Sequence, residues 1–564
     1  MIVHSLDADV VIPDMSFAPY VLRQAERLAD KVALIDGVDG HAYTYMEVAT
    51  IVRRLAAGLS RRGFGKGDVL ALFSANCIEY PLVFLAAALL GGITTTINPT
   101  YTVGELVYQL NDAGARYLVA APAVVEKALE ARAQSRVEEI FTLGEPLMAT
   151  PAVETAAWQG SAGRGNLVSR WLRRGRAANK QSTRAAKPVS GVTPLVELLA
   201  NDGETPAVTI DVAEDVVALP YSSGTTGLAK GVMLTHRNLV ANLCQMEPSG
   251  LVTSEDVVIG VLPFYHIYGL TVILAQGLAN GATIVSLPRF DFAQFLQTLQ
   301  DRHVTVGFMA PPIMLALAKQ PLVDNYDLSR LRIAMSAAAP LAREVEETVG
   351  RRLGCVVVQG WGLTETSPDV TLSPIDTALA RLGSVGRCIP NSECKVVDIA
   401  TGDELGPRQE GEIWARGPQI MRGYLNNPAA TADMLDGEGW LRTGDIGYFD
   451  EDGYFFIVDR LKELIKYKGY QVAPAELEGI LLTHSAVADA AVIPSRDEEA
   501  GEAPKAFVAL KSGTTATADE LMAYVAERVA PYKRIRRLEF IDQVPKSPSG
   551  KILRRVLVER ERAT

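Results

Sequence analysis

Two kinds of segment alternate along this chain, and this alternation constrains its fold more than any other feature. Short apolar runs that end in small residues, as buried strands do, include DVLALFSAN, ARYLVAA, TIVSL and LRIAMSA. They alternate with segments whose apolar positions have helical spacing, such as TYMEVATIVRRLAAGLSRRG and FAQFLQTLQDRH. Such chains form sheets with helices packed on their faces. The sequence therefore predicts an α/β fold of packed sheets.

The pattern changes near Asp459, which predicts a domain boundary. With 564 residues the chain is too long for one ordinary core. Before Asp459, DEDGYFFIVDR places an Asp-Gly turn between strand-like runs; after it come the basic turn LKELIKYKGYQ and the helix start APAELEGILL. We expect a large N-terminal domain at 1–458 and a small, mobile α+β domain at 459–564.

A basic segment interrupts the large domain. Residues 161–187 contain many arginines and lysines, no acidic residue and few large apolar residues. This composition predicts a solvated and partly disordered insertion within about 144–195. The alternative is a short amphipathic anchor for a membrane or a partner, built around Trp171 and Leu172.

Composition argues against several classes of protein. A net charge of −11 disfavours nucleic-acid binding by the whole chain. Five scattered cysteines without a C-x-x-C pair disfavour a disulfide framework and a zinc site, and favour a cytoplasmic setting. The N-terminus does not resemble a signal peptide. The most apolar run, PLVFLAAALLGGI, is shorter than the roughly 20 residues that span a bilayer, so it predicts a buried helix and no transmembrane segment. The oligomeric state is not predicted.

The segment YSSGTTGLAKG has the composition of a phosphate-binding loop between two strand-like runs. Its glycines allow close backbone approach, and its hydroxyls and lysine can contact the β- and γ-phosphates of a nucleotide. It is not a Walker loop, because Lys230 follows Ala229 and precedes Gly231. Alone, a plain Ser/Thr/Gly turn would explain it equally well. The candidate contacts are Ser222, Ser223, Gly224, Thr225, Thr226, Gly227 and Lys230.

Four later segments carry matching chemistry. In QGWGLTET, a hydroxyl and a carboxylate at a strand end, Thr364 and Glu365, suit Mg²⁺ that bridges phosphates. In RTGDIG, Asp445 can accept hydrogen bonds from ribose hydroxyls. DRLKELIKYKG and PKSPSGKILRR supply cations for a polyphosphate reaction, although each alone could be a solvated basic turn. These cations are Arg460, Lys462, Lys466, Lys468 and Lys551.

In this order, together with LPFYHIYGL and SAAAP, these motifs resemble the adenylate-forming superfamily of acyl-CoA synthetases, luciferases and peptide-synthetase adenylation domains. The chain is most similar to the 4-coumarate–CoA ligase and acyl-CoA synthetase branch, from HAYTYMEV to GKILRR. The resemblance implies an AMP-forming acid–thiol ligase. A carboxylate would attack the α-phosphate of ATP and release pyrophosphate, and coenzyme A would then displace AMP, with Mg²⁺ required.

The resemblance also implies roles for particular residues. Lys551 would bridge the carboxylate and the α-phosphate, Thr364 would contact the α-phosphate, and Trp361 would stack on adenine. Asp445 would bind the ribose, assisted by Arg460. Thr226 and Glu365 would hold Mg²⁺. The nucleotide contacts implied in addition to the phosphate loop are Ala338, Ala339, Pro340, Gln359, Gly360, Trp361, Gly362, Thr364, Asp445, Arg460 and Lys462.

In this family the small domain swings between the two half-reactions, and Asp459 lies at the hinge. Lys551 would serve the first step, whereas Lys466 and Gln471 would serve the second. His266 would lie between the acyl and thiol channels, the alternative being a core histidine. The implied coenzyme A contacts are Arg289, Lys468 and Gly469, and the implied acyl contacts are His266, Tyr268, Gly307, Met309, Ala337, Ala338, Gly360, Pro368 and Asp369.

Three residues depart from the family pattern. Ala229 replaces a usual proline, Ala337 replaces a usual glycine, and Asp369 stands where an apolar residue is common. A carboxylate buried without a partner costs several kcal/mol. Asp369 therefore predicts either solvent access or a substrate that carries a hydroxyl or an amine.

Three other functions share parts of this pattern. In the first, the chain loads an acyl or aryl group onto a carrier-protein phosphopantetheine, and its basic segment docks that acidic partner. The second is a luciferase-like oxygenase, and no residue favours oxygen chemistry. The third is a non-catalytic binding protein, which the intact set of charged residues disfavours. The acid itself stays open among aromatic propenoates, benzoates, fatty acids and polycyclic natural-product acids.

Overall fold

A computed structural model describes residues 1–148, 190–222, 229–467, 470–497, 500–547 and 550–563. Several predicted features lie outside the described residues. These are the basic segment 161–187, the phosphate-loop residues Ser223, Gly224, Thr225, Thr226 and Gly227, and the coenzyme A candidates Lys468 and Gly469.

The N-terminal part contains two large sheets. In the first, the strands from Val216–Ala218 to Thr193–Pro194 pair in parallel, and antiparallel strands flank them on the side of the phosphate loop. Its order is Tyr221–Ser222, Lys230–Thr235, Val216–Ala218, Ile93–Ile97, Val69–Phe73, Ala115–Ala120, Glu139–Thr142 and Thr193–Pro194, with Gly423–Tyr424 paired to Lys230–Thr235.

The second sheet lies against the first through a shared buried core. From Val32–Asp36 to Val356–Gly362 its neighbouring strands are parallel, so their carboxyl ends meet at one edge. Its order is Arg387–Cys388, Asp369–Leu372, Val356–Gly362, Ile333–Ser336, Val306–Met309, Val257–Gly260, Thr283–Ser286, Val32–Asp36 and Ala42–Thr44.

Two smaller, mainly antiparallel sheets follow. One combines the N-terminal strand with four strands that precede Asp459 or contain it: Ile2–His4, Glu393–Val397, Gly411–Arg416, Leu441–Phe449 and Phe455–Arg460. The other belongs to the C-terminal part and has its own buried core of Ile465 through Ile535. Its strands are Tyr470–Val472, Ile465–Tyr467, Gly501–Leu510, Val487–Asp497 and Arg537–Phe540. The predicted mixed fold, with a large N-terminal and a small C-terminal part, is confirmed; the boundary at Asp459 stays a prediction.

Local signals explain where many helices begin. Thr44 with Glu47, Thr102 with Glu105 and Thr517 with Glu520 form reciprocal capping boxes, which satisfy otherwise unpaired backbone N–H groups. The α-helices are Phe17–Val21, Tyr45–Arg61, Tyr80–Leu89, Val103–Ala113, Val125–Arg132, His236–Met246, Gln276–Asn280, Phe292–Asp301, Pro311–Lys319, Arg343–Leu353, Pro428–Met434, Pro474–Thr483, Ala518–Ala526 and Arg554–Ala563.

The apolar run PLVFLAAALLGGI forms the buried helix Tyr80–Leu89, as predicted. Across the described residues, no helix is both long and apolar enough to cross a membrane. The five cysteines are free thiols.

Both described ends of the predicted insertion belong to the large domain. Leu147 is buried, and its N–H donates to the Tyr43 hydroxyl at 3.1 Å. Thr193–Pro194 extends the first sheet beside Glu139–Thr142. Residues 149–189 lie outside the described residues, so the limits of about 144 and 195 stay a prediction.

Candidate active site

Three neighbouring parallel strands bring their carboxyl ends to one edge of the second sheet. Val306–Met309, Ile333–Ser336 and Val356–Gly362 pair in that order, and the segments that follow them contain many of the candidate residues. Ligands of open α/β sheets bind at this edge. Gly362 must be glycine, because a Cβ there would lie 1.7 Å from the Pro368 carbonyl oxygen.

Glu365 lies in the short 3₁₀ turn Thr364–Thr366 and is held from two sides. Its Oε1 accepts hydrogen bonds from the Ser222 hydroxyl at 2.9 Å and from the Tyr424 hydroxyl at 2.8 Å. The Lys230 ammonium lies 4.8 Å from the centre of the Tyr424 ring. Ser222, before the phosphate loop, therefore contacts the carboxylate predicted to hold Mg²⁺, and Lys230, after it, contacts the tyrosine that binds this carboxylate. Tyr424 is a site residue that sequence reasoning missed.

Asp445 is buried between Trp361 and Arg460. The Trp361 indole N–H donates to Asp445 Oδ2 at 2.8 Å, and Arg460 Nε lies 3.0 Å from Asp445 Oδ1. Strand pairing places Asp445 directly opposite Arg460. The carboxylate is the main cause of the raised pKa of the Arg460 guanidinium. These contacts fix the indole ring and the carboxylate beside each other, as an adenine-and-ribose site requires.

Lys551 reaches this site from the C-terminal part of the chain. The Ser547 N–H donates to the Lys551 carbonyl at 2.8 Å. A Cβ on Gly550 would lie 3.0 Å from Ala310 Cβ and 3.1 Å from Pro312 Cδ, so Gly550 packs on the N-terminal part.

The charge of Lys551 reflects these surroundings. Burial, and then the positive charge of Arg460, lowers the pKa of the Lys551 ammonium to about 8. Arg554, three residues further on, binds Glu478 with an Nη2–Oε2 distance of 2.7 Å and also pairs with Glu463. The loop that carries Lys551 is thus anchored within its own domain.

His266 precedes the π-helix Tyr268–Ala275, and Lys551 acts on it electrostatically. Burial, and then the Lys551 charge, lowers the pKa of His266 to about 4, so the imidazole is neutral at pH 7. Its Nδ1 accepts the Tyr268 N–H at 3.2 Å, which places the imidazole proton on Nε2. A π-helix is rare and frequently occurs at functional sites.

The residues predicted for the second half-reaction are not gathered with Lys551. Lys466 and Gln471 face each other in the hairpin of Ile465–Tyr467 and Tyr470–Val472, and both are exposed. The Lys466 N–H donates to Glu502 Oε2 at 2.8 Å. Gln471 also lines a cavity of about 450 Å³ together with Pro340. Arg289 and Lys462 are exposed on turns. The described arrangement therefore matches the pose predicted for the first step.

The predicted acyl wall is tightly packed. A Cβ on Gly307 would lie 2.2 Å from Met309 Cε, and a Cβ on Gly360 would lie 2.7 Å from Met335 Cε. Both methionines are fully buried. Ala338 has a left-handed backbone with φ of 74°, an uncommon conformation for a residue other than glycine. Ala337, Pro368 and Asp369 adjoin this wall, and Met335 was missed because its motif begins one residue later.

Gln359 is engaged elsewhere. Its side-chain amide donates to Glu346 Oε2 at 2.8 Å, and the same oxygen accepts the Gly383 N–H at 2.9 Å. Gln359 is almost fully buried. Its side chain therefore braces the strand Val356–Gly362, and its backbone carbonyl accepts the Ser373 N–H at 2.8 Å.

Comparison with known proteins identifies the family of the chain. The model of the AMP-binding enzyme family matches residues 21–425, and that of the AMP-binding enzyme C-terminal domain matches residues 476–551. The chain is 41% identical to 4-coumarate–CoA ligase 2 of Petroselinum crispum over 97% of this chain and 95% of that protein.

Solved structures are similar over the same length. The anthranilate CoA ligase AuaEII in complex with anthranoyl-AMP has a TM-score of 0.84 at 25% identity, covering 98% of each chain. ATP-bound MatB from Rhodopseudomonas palustris has a TM-score of 0.81 at 27% identity, covering 97% of this chain and 99% of that one. With both family models matched in order, the chain belongs to the family of AMP-binding enzymes.

Proposed function

We propose that this protein is an AMP-forming acid–CoA ligase that uses ATP, Mg²⁺ and coenzyme A. A carboxylate oxygen attacks the α-phosphorus of ATP, and pyrophosphate leaves. The thiolate of coenzyme A then attacks the acyl carbon of the acyl-adenylate, the thioester bond forms, and AMP leaves. The observation that carries the proposal is that the charges of Asp445 and Arg460, which pair with each other, act on Lys551. The chain is also similar to a 4-coumarate–CoA ligase over 97% of its length.

The first step joins two anions, so its main demand is positive charge at the reacting phosphorus. We assign that charge to Lys551, and we assign the ribose hydroxyls to Asp445. Glu365 would hold Mg²⁺, because this ion prefers oxygen ligands and the Glu365 carboxylate is oriented by Ser222 and Tyr424. The ion neutralises phosphate charge when bound. Trp361 would stack on adenine, with its N–H fixed by Asp445.

The second step needs the exposed hairpin of Lys466 and Gln471 to replace Lys551 at the site. We propose that the small domain turns about Asp459. This residue accepts the Arg460 N–H at 2.7 Å and the Ala475 N–H at 2.8 Å, so it joins the last strand before the boundary to the helix Pro474–Thr483. When Lys551 withdraws, the pKa of His266 rises because a nearby positive charge is removed.

The pH dependence of the first step tests the role of Lys551. Its lowered pKa of about 8 means that the cation is present below that pH and is lost above it. We expect kcat/KM for ATP in pyrophosphate release to fall about tenfold per pH unit above roughly pH 8, since this parameter reports groups of the free enzyme. The Lys551→Arg side chain stays charged, so the kcat/KM that this variant retains should not fall above pH 8. A flat wild-type profile up to pH 10 would exclude Lys551 as the essential cation.

The acceptor is tested by a screen of carboxylic acids for pyrophosphate release, with and without coenzyme A. We expect multiple turnovers with coenzyme A and slow release without it, because the adenylate stays bound. Release stimulated by a phosphopantetheinylated carrier protein but not by coenzyme A would instead support carrier loading. Release with no acid at all would refute both functions.

A cytoplasmic location is also part of the proposal. Five free thiols agree with a reducing, cytoplasmic environment. We propose no nucleic-acid partner, and the basic segment that would dock an acyl carrier protein lies outside the described residues.

A further inference from the structure

Asp369 is a buried carboxylate whose backbone is firmly held. It begins the strand Asp369–Leu372 and is 3% exposed. Its N–H donates to Asn242 Oδ1 at 3.2 Å, and the Asn242 amide donates back to its carbonyl at 2.9 Å. The side chain is different: within the described part of the chain, Oδ2 is buried and has no hydrogen-bond partner. Such a group is costly unless something else binds it.

A second polar group without a partner belongs to the same wall. The Tyr268 hydroxyl is buried and has no hydrogen-bond partner among the described residues. Its ring packs edge-on against Phe308, with 6.1 Å between ring centroids, so the phenol is oriented by packing. Burial, and then the Asp369 carboxylate, raises the pKa of the Tyr268 phenol. The predicted acyl wall thus contains a buried acceptor and a buried hydroxyl that are not hydrogen-bonded to each other.

The rest of this wall is apolar and adaptable. Met309 and Met335 occupy the space beside Gly307 and Gly360 and are fully buried. Methionine has three rotatable bonds and repacks readily around an incoming group. In the proposed subsite, movement of these methionine side chains would make room for the acyl group.

We propose that Asp369 and Tyr268 form a subsite for a hydrogen-bond-donating substituent, a hydroxyl or an amine, on the acyl part of the substrate. The proposal rests on the proposed ligase function and narrows its substrate class. A hydroxyl would donate to Asp369 Oδ2 and accept from the Tyr268 hydroxyl. An amine would donate to Asp369, and its charge would complement the carboxylate. An acid that lacks such a donor leaves both groups unpaired, which the enzyme disfavours.

Binding of acyl-sulfamoyl adenosines, which are stable mimics of the acyl-adenylate, tests this subsite without any turnover. The cinnamoyl and benzoyl series would each carry a hydroxyl, an amine, a methoxy group or no ring substituent. We expect calorimetry on the full chain to show that a donor-bearing member binds roughly 10- to 100-fold more tightly than its methoxy or plain counterpart. The better of the hydroxyl and amine members identifies which donor the subsite takes.

Variants of Asp369 and Tyr268 then test whether these two side chains cause the preference for donor-bearing analogues. Asp369→Val should abolish the preference and bind the plain analogue more tightly than the wild type does, an effect that a purely structural role would not produce. Tyr268→Phe should weaken binding of the hydroxyl member and should not weaken binding of the plain one, because it removes a buried hydroxyl that the plain analogue leaves unpaired. Tyr80→Phe is a matched control, since the Tyr80 hydroxyl is likewise buried without a described partner, outside the site.

The outcomes separate the two proposals. Tight binding without any donor preference in either series overturns the subsite and leaves the ligase intact. A preference that survives in both variants also overturns it. If no analogue of either series binds, the subsite proposal fails, and the screen of carboxylic acids for pyrophosphate release decides separately on the ligase function. Should Asp369→Val fail to fold, loss of the preference in Tyr268→Phe decides the question.

Discussion

Replacing Lys551 with methionine is expected to slow ATP-dependent pyrophosphate release by about 10²- to 10³-fold, the usual effect of removing one preorganised charge-stabilising group. The ammonium is surrounded by Arg460, Glu463 and Asp445, and its loop packs against Ala310 and Pro312. Methionine keeps the length of the side chain and loses the charge. Thioester formation from supplied acyl-adenylate and coenzyme A should proceed at the wild-type rate, because we propose that this step uses the hairpin of Lys466 and Gln471 in place of Lys551.

Lys546→Met provides the matched control for this substitution. Lys546 belongs to the same loop, and its ammonium lies 2.7 Å from Asp489 rather than in the site. Its loss should leave both half-reactions nearly unchanged. An equal loss of both half-reactions in Lys551→Met would contradict the assignment of Lys551 to the first step alone.

Replacing Lys466 with alanine is expected to slow the second half-reaction and spare the first, the opposite of Lys551→Met. A single round of pyrophosphate release should keep its wild-type rate, because Lys466 is exposed and apart from the residues gathered around Asp445. Thioester formation should slow by about 10²-fold, the size of effect that lost positioning produces. Rapid-quench measurement of adenylate and thioester in one reaction separates the two rates.

Lys511→Ala is the control for a lost cation in the small domain, since Lys511 is half-buried and its ammonium donates to the Ser485 carbonyl. It should leave thioester formation intact. Normal coenzyme A turnover in Lys466→Ala would remove Lys466 from the proposed site.

The local pattern of the sequence predicts the elements of the fold well. DVLALFSAN contains the strand Val69–Phe73, and TYMEVATIVRRLAAGLSRRG contains the helix Tyr45–Arg61. Both depend on periodicity and on capping by nearby residues, which a short window contains. The ordered motifs likewise indicate the family, because the loops that carry Glu365, Asp445 and Lys551 each have a distinctive composition.

Contacts between distant segments could not be predicted in this way. Tyr424 bonds to Glu365 across 59 positions, and nothing in RGYL marks that tyrosine as a site residue. The Lys319 ammonium donates to the Leu482 carbonyl at 2.8 Å and so joins the large part to the end of a helix in the small one. Which pose the chain adopts depends on such tertiary contacts, not on local propensity.

The hydrogen bond between Trp361 and Asp445 offers a fluorescence test of the proposed nucleotide site. Indole emission depends on the charge and the hydrogen bonding around the ring, and here the indole N–H donates to a carboxylate that also binds Arg460. A nucleotide that stacks on the ring and engages Asp445 changes both. Intrinsic fluorescence, with Trp361→Phe as the reference for the remaining tryptophans, would therefore follow nucleotide entry in real time on unlabelled protein.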